Sequence, residues 1–255
     1  VEPNGALGDE VSQCHCQSPN CGAICSVDED GAFTLTLRDD YSGAALLKFS
    51  GTTESPAKYI DASSAKLVKF FTDKSLERLI LNIEAGADQT GQHLHGLTTL
   101  SSFLARAYAG NGMVLQTASE LSNHLFSEHL KRPGTQDFQN TLPTNLRTEQ
   151  VTSLAAPNYL GLFHAGLSRL GQSVSLDEGE GVTVPTIQVL EQLKIDLEAP
   201  PLDGRDKLGA VVHFGNAGQT NISANTLRID LAQAIDKFIR SDANQSGIVP
   251  DVLQA

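Results

Sequence analysis

The stretch Cys21–Leu37, CGAICSVDEDGAFTLTL, predicts an antiparallel hairpin near the start of the chain. The apolar residues from Phe33 to Leu37 alternate with threonines, which is the period-two pattern of a strand with one buried face. Asp30 and Gly31 precede that strand, and this dipeptide favours the backbone of a tight turn. We therefore expect the chain to open with β-structure.

The four cysteines of the 255-residue chain lie close together, at Cys14, Cys16, Cys21 and Cys25. An even number of cysteines in a short window predicts two disulfides, for which three pairings exist. The sequence does not choose among the three pairings. The alternatives are a zinc site that includes His15, or free thiols. The C-x-C step is shorter than the two to four residues that usually separate zinc ligands.

Short apolar segments continue the β-structure to about residue 85. The predicted strands are residues 10–16, 23–27, 32–37, 44–50, 66–71 and 78–84. Short strands at this spacing indicate an Ig-like β-sandwich, with one strand fewer than the usual seven. A sandwich that lacks a strand leaves an open edge, and an open edge can pair with another chain.

From Gly96 onward the apolar residues recur with the period of a helix. The predicted helices cover residues 97–108, 115–129, 146–155, 160–170, 187–197 and 227–239, with loops at 131–144 and 171–181. Thr117 and Glu120 predict a capping box for the second helix, and Ser223 or Asn225 is the expected cap of the last.

These patterns predict an α+β protein. Residues 1–90 are expected to form a β-sandwich domain with the clustered cysteines. Residues 91–255 are expected to form an α-helical bundle, because each predicted helix is apolar on one side only.

The composition argues against several classes of partner. The chain has a formal net charge of −12, which repels nucleic acid and anionic lipid. It has no tryptophan and 5% aromatic residues, too few for a platform of rings that stacks on sugars. No apolar run approaches the roughly 20 residues that span a bilayer. We expect no nucleic acid, no membrane span and no small-molecule substrate.

One short segment has the opening of a calcium-binding loop. Asp242, Asn244 and Ser246 follow the D-x-N-x-S-G pattern, and these three residues are the candidate metal ligands. Leu253 stands where such a loop has its bidentate acid. The alternative is a turn that ends the last helix, and no other cofactor is expected.

Three segments resemble a module of large secreted or lipid-anchored bacterial surface proteins, which begins with a carboxypeptidase-regulatory-like sandwich. The segments are GAFTLTLRDDYSGAALLKFSGT, KYIDASSAK and GLTTLSSFLARAYAG. The matching positions are Asp30, Gly31, Phe33, Leu37, Tyr41, Gly43, Gly51, Thr98 and Leu100. The resemblance implies an Ig-like sandwich followed by helices, and it implies no catalytic residues. The CHCQSPNC insert departs from the family pattern. Of the family's opening step only Gly8-Asp9-Glu10-Val11 remains here, the strand before it is lost, and residues 1–8 make a poor strand.

We therefore expect a non-enzymatic structural or adhesive protein of the cell surface, extracellular, with its signal peptide already removed. Its expected partners are copies of itself, joined into pilus-like filaments by β-strand addition. The candidate residues of a donated strand are Val1, Leu7, Ile248 and Val252. The alternative function is a monomeric carbohydrate- or cation-binding accessory module of a secreted protein.

Overall fold

The computed structural model of the chain describes residues 1–7, 25–27, 33–35, 41–86, 90–130, 135–151, 155–178, 184–198, 204–213 and 226–250. The described strands are β1 (Cys25–Val27), β2 (Phe33–Leu35), β3 (Gly43–Phe49), β4 (Ala57–Ile60), β5 (Leu67–Phe70) and β6 (Leu76–Ile83). The described helices are α1 (Gly96–Gly110), α2 (Leu115–Leu130), α3 (Ala156–Glu178), α4 (Thr186–Asp196) and α5 (Leu227–Ile239), with a 3₁₀ helix at Thr135–Asn140. The fold is mixed α+β, as the sequence predicts.

The described strands pair two by two, always antiparallel. β1 pairs with β2, β3 pairs with β6, and the β4–β5 hairpin lies between β3 and β6 in the sequence. Each of these three sheets has two strands within the described ranges. β1 and β2 pair antiparallel as the sequence predicts, with Val27 opposite Phe33, and the predicted turn at Asp30 and Gly31 lies outside the described residues.

One hydrophobic core joins strands to helices. Ala57 and Phe70 of the β4–β5 hairpin are buried together with Leu100, Leu167 and Leu190, which come from α1, α3 and α4. This core therefore draws residues from both sides of the predicted domain boundary at residue 90. Among the helices, α1 packs on α2 and α4, and α3 packs on α4 and α5.

A buried charge cluster also connects the strands to the helices. Glu77 of β6 accepts hydrogen bonds from Ser75 at 2.6 Å and Lys194 at 3.4 Å, and forms an ion pair with Arg106 at 3.5 Å. Lys194 also pairs with Glu191 at 2.9 Å. Because each buried charge has a partner of opposite sign, the desolvation of the cluster is offset.

Several predicted elements differ from the structure. The helix predicted at 146–155 is wrong over its described residues, because 146–148 form a turn, 149–151 are not helical and α3 begins at Ala156. The loop predicted at 171–181 is wrong for most of its length, since α3 continues to Glu178. The predicted capping box is also wrong, because Thr117 lies inside α2, two residues after the first. The strand β4 was not predicted.

Candidate interaction surface

The β4–β5 hairpin has one face toward the helices and one toward solvent. Its inward side chains include Ala57 and Phe70, which are buried. The ring of Phe70 contacts the rings of Phe49 and Tyr59 edge-to-face, at centroid distances of 5.8 and 6.0 Å. Alternation along each strand sends the other side chains outward.

Asp61, which is 5% exposed, connects the turn of the hairpin to the helices that it packs on. Its Oδ1 accepts hydrogen bonds from the Ser64 amide at 3.0 Å and hydroxyl at 2.7 Å, and from the Ser168 hydroxyl of α3. Its Oδ2 accepts the Thr186 hydroxyl at the start of α4, at 2.8 Å. Burial alone would raise the pKa of Asp61, but the hydrogen bonds from Ser168, Ser64 and Thr186 outweigh it and lower the pKa.

Ser63 adds further bonds between the turn and the helices. Its hydroxyl lies 2.5 Å from the Ser168 hydroxyl and accepts a hydrogen bond from Gln172 Nε2 at 2.8 Å. Its carbonyl accepts the Arg147 guanidinium at 2.6 Å. Ala65 closes the turn with a φ of 54°, a left-handed conformation that costs about 1 kcal/mol for a residue with a Cβ. The surrounding bonds hold this strained turn in place.

Tyr59 connects the strand β4 to α4. The backbone amide of Ile187 donates a hydrogen bond to the Tyr59 hydroxyl at 3.1 Å, so that an amide in the first turn of α4 has a partner. Burial is the main cause that raises the pKa of Tyr59 to about 12. The phenol therefore stays neutral and acts as a structural acceptor.

A cleft of about 310 Å³ lies beside the turn. Its walls include Ile60 and Ala62 of the hairpin, Leu146, Arg147 and His164. The cleft therefore combines aliphatic walls with the guanidinium of Arg147, the imidazole of His164 and the carboxyl group of Asp61.

The two histidines near this cleft are committed to backbone groups. His164 Nδ1 lies 2.6 Å from the Leu160 carbonyl, and its Nε2 accepts the Gly96 amide at 3.0 Å. His95 caps α1 by accepting the Thr98 amide through Nδ1, and its Nε2 lies 3.0 Å from the Phe138 carbonyl. These bonds require both imidazoles to be neutral, with one donor and one acceptor nitrogen each. Burial lowers the pKa of His164 to about 4 and the pKa of His95 well below its usual value.

The cluster of serine, histidine and aspartate side chains is not arranged as a nucleophilic triad. Ser168 donates its proton to Asp61, whereas His164 bonds to the backbone through both nitrogens. A serine nucleophile needs a histidine within hydrogen-bond reach to take its proton. In the described arrangement, the bond between Ser168 and Asp61 connects the hairpin turn to α3.

The outer edges of the described sheets differ in how they are covered. The amides of Glu77 and Leu79 on β6 donate to the Thr99 and Ser102 hydroxyls of α1, at 2.9 and 2.7 Å. On the other side of that sheet, the amino group of Val1 donates to a carbonyl of β3 at 2.6 Å. β4 and β5 have no further strand partner among the described residues. The hairpin therefore has no strand on either outer edge among the described residues, and the same holds for the β1–β2 pair.

The outward face of the hairpin combines apolar and cationic side chains. Ile60 and Leu67 are opposite each other and are 61% and 56% exposed. Lys58 and Lys69 are the next outward pair across the two strands, and both are exposed. We refer to Lys58, Ile60, Leu67 and Lys69 as the hairpin face.

The predicted strand-donor residues lie in different environments. Val1 packs against the core formed by β3, β6 and α1, and Leu7 is 59% exposed. Ile248 is 5% exposed and packs in a core with Leu146 and Phe238. Ile248 therefore cannot move out to pair with a second copy without leaving a cavity in that core.

The other predicted site residues fall partly outside the described structure. Val252 and the first three cysteines lie outside the described residues, and of Cys25 only the backbone, in β1, is described. The disulfides predicted at Cys14, Cys16, Cys21 and Cys25 therefore stay a prediction.

The predicted calcium-binding segment forms an internally bonded turn after α5. The Oδ1 atom of Asn244 accepts the Ser246 amide at 3.2 Å and hydroxyl at 2.5 Å, and its Nδ2 donates to the carbonyls of Ile239 and Ile248. Asp242 is exposed. Within the described ranges, no group of three or more His, Cys, Asp or Glu side chains is arranged to hold a metal ion. Calcium binding at Asp242, Asn244 and Ser246 stays a prediction.

The hairpin face and Asp61 were not predicted from the sequence as site residues. The sequence signal for this face is that AKYI and LVKF carry the same pattern in opposite directions. Each segment has one lysine, and a large apolar residue lies two positions away from it. Lys58 and Lys69 become neighbours only when the turn brings these segments into register.

Comparisons with known proteins found no matching family model, curated protein or solved structure. The resemblance to the surface-protein module therefore stays a prediction. In the part of the chain that the structure describes, no helix has both the length and the apolar character to cross a membrane.

Proposed function

We propose that this chain is a non-enzymatic structural or adhesive surface protein whose copies associate by β-strand addition at the β4–β5 hairpin. The observation that carries the proposal is the hairpin itself. It has open outer edges within the described residues, and it exposes the apolar pair Ile60 and Leu67. An open edge offers unpaired backbone groups, and pockets or faces beside it select the incoming side chains.

The rigid support of the hairpin favours binding over turnover. Asp61 and Ser63 fix the turn to α3 and α4, so that ordering the hairpin costs little when a partner docks. The imidazoles beside it are engaged with the backbone, which favours a structural role for His95 and His164.

The proposal also includes the architecture of the strands and helices. We propose that the strands derive from an Ig-like sandwich with a missing strand, followed by a helical bundle. The supports are six short described strands, all paired antiparallel, and five described helices that follow them. An extracellular location is supported by the clustered cysteines.

The donated strand is the other half of the proposed contact. Burial of Ile248 argues against donation from that residue, whereas the exposure of Leu7 favours the beginning of the chain. Because the donating and the accepting surface are different patches of the chain, copies would join head to tail. Such contacts build filaments when their rotation does not close.

Sedimentation velocity across a wide range of protein concentration, followed by negative-stain electron microscopy, tests the proposal. We expect species larger than the monomer that grow with concentration, and elongated particles at the highest concentration. Particles of monomer size at every concentration would contradict it.

A further inference from the structure

The hairpin face contains a cross-strand pair that does not stabilise the isolated chain. Lys58 lies directly opposite Lys69, and like charges in that position are destabilising. The neighbouring pair, Ile60 and Leu67, leaves more than half of each side chain in water. Both pairs would be stabilised by a partner that brings negative charge and apolar surface.

The local charge of the hairpin is opposite to that of the whole chain. Residues 57–71 contain Lys58, Lys66 and Lys69, all exposed, and the single acid Asp61, which is buried and faces the helices. No ion pair to these three lysines is present among the described residues. The complete chain has 30 acidic against 18 basic residues. The hairpin is therefore a cationic patch on an acidic protein.

Such a distribution is complementary to a second copy of the same chain. Opposite charges steer association and select the partner, while the apolar pair supplies buried area. Arg147, bound to the carbonyl of Ser63, places a guanidinium in the wall of the cleft beside Ile60, which Asp61 also lines. This cleft of about 310 Å³ is continuous with the hairpin face, because Ile60 belongs to both.

We infer that the hairpin face is the acceptor site for an acidic, aliphatic-bearing surface of a second copy of this chain. Carboxylates of the incoming copy lie against Lys58 and Lys69, and its aliphatic side chains cover Ile60 and Leu67. The contact is head to tail, since a cationic acceptor face and an acidic donor surface are different patches. This inference rests on the proposed self-association and adds the chemistry of the partner.

The test is a double charge reversal, Lys58→Glu with Lys69→Glu, measured by sedimentation velocity on the complete chain. The matched control is Lys207→Glu with Lys237→Glu, which changes the net charge equally at exposed sites outside the hairpin face. We expect the hairpin variant to associate at least tenfold more weakly than the wild type, and the control to associate like the wild type. A Lys58→Gln, Lys69→Gln variant with an intermediate effect supports the charge argument if the reversal perturbs folding.

Mixing the two proteins tests the head-to-tail arrangement. The charge-reversed chain keeps its acidic donor surface, so it should cap wild-type assemblies and shorten them. If the reversal weakens association but the mixture leaves wild-type assemblies unchanged, the head-to-tail acceptor role is overturned.

The outcomes separate this inference from the proposed function. If the wild type and both variants assemble equally well, the proposed function stands and the acceptor site is overturned. A wild type that stays monomeric at every concentration would overturn both. If, in that monomer, Lys58 and Lys69 are shielded from an amine-reactive label, the occupant of the face is a segment of the same chain.

Discussion

Asp61 is the residue that does most to fix the position of the hairpin. It accepts hydrogen bonds from the turn and from helices α3 and α4, and its partners are buried apart from Ser64, which is half-buried. A buried carboxylate with several donors is stabilised as an anion, and removing it leaves those donors without a partner.

Replacing Asp61 with alanine should lower the free energy of unfolding by about 3 kcal/mol, because five donated hydrogen bonds lose their acceptor. Chemical denaturation measures this change. The matched control is Asp236→Ala, which removes an exposed acid of α5 that pairs with Arg240 and should change stability far less. Equal effects of the two substitutions would contradict the role of Asp61.

The neutral histidines predict a loss of stability in mild acid. Because the pKa of His164 is about 4 in the folded chain and near 6.5 when unfolded, the unfolded state binds more protons between these values. The stabilisation is present above pH 6.5 and is lost as the pH falls toward 4. From pH 7 to pH 5 the expected loss is about 2 kcal/mol from His164, with a further loss from His95. Asp61, whose pKa is lowered, loses its contribution only below about pH 4.

Unfolding curves of the wild type and of His164→Gln at pH 7 and pH 5 separate this cause from others. The variant should lose clearly less stability between the two pH values, whatever its stability at pH 7. The exposed His124 provides the control, and His124→Gln should keep the wild-type pH dependence. The same dependence in all three proteins would exclude His164 as the source.

Among the elements, the sheets differ in what covers their edges. The hydroxyls of Thr99 and Ser102 on α1 accept amides of β6, so this edge is satisfied by the chain itself. The β4–β5 hairpin lacks such a cover among the described residues. This difference is why we assign association to the hairpin rather than to β6.

Removing one of these hydroxyls should uncover the edge of β6 locally. Ser102→Ala leaves the buried amide of Leu79 without its acceptor, which should cost about 1–3 kcal/mol. Hydrogen exchange of the Leu79 amide should become faster by more than the global loss of stability explains. Ser64→Ala offers a comparison in the hairpin turn, and it should leave exchange at Leu79 unchanged apart from any global effect.

The periodic elements were predictable because their pattern is local. The apolar stripe of α5 predicted the observed bounds, Leu227–Ile239. α3 was predicted too short because Gly171 resembles a helix end. In the structure this glycine lies inside the helix, where a Cβ would collide with the carbonyl of Val184. Close approach explains this glycine, and a single sequence does not reveal a contact partner.

The site was not predictable because it depends on contacts between distant residues. Asp61 and Ser168 are 107 positions apart, and no spacing rule connects a turn serine or aspartate with the middle of a helix. β4 has four residues, which is too short for alternation to be convincing against a loop. The open edge expected from the number of strands belonged to a β-sandwich, and that expectation stays a prediction.

At the scale of the whole molecule, the charges of the interior and of the surface have different roles. Inside, the two acids Glu77 and Glu191 are paired with the two bases Arg106 and Lys194, so this cluster joins strands and helices without a net charge of its own. Outside, the acidic surface carries a cationic hairpin face. The first arrangement stabilises the fold, and the second gives the molecule a direction along which copies can join.

Hydrogen–deuterium exchange at two protein concentrations tests this account most directly, because it locates the contact between copies. The account predicts that amides of residues 57–70 exchange more slowly at the high concentration, while amides of β6 facing α1 are unchanged. Exchange at the hairpin that is independent of concentration, in a sample that sedimentation shows to be associated, would contradict it.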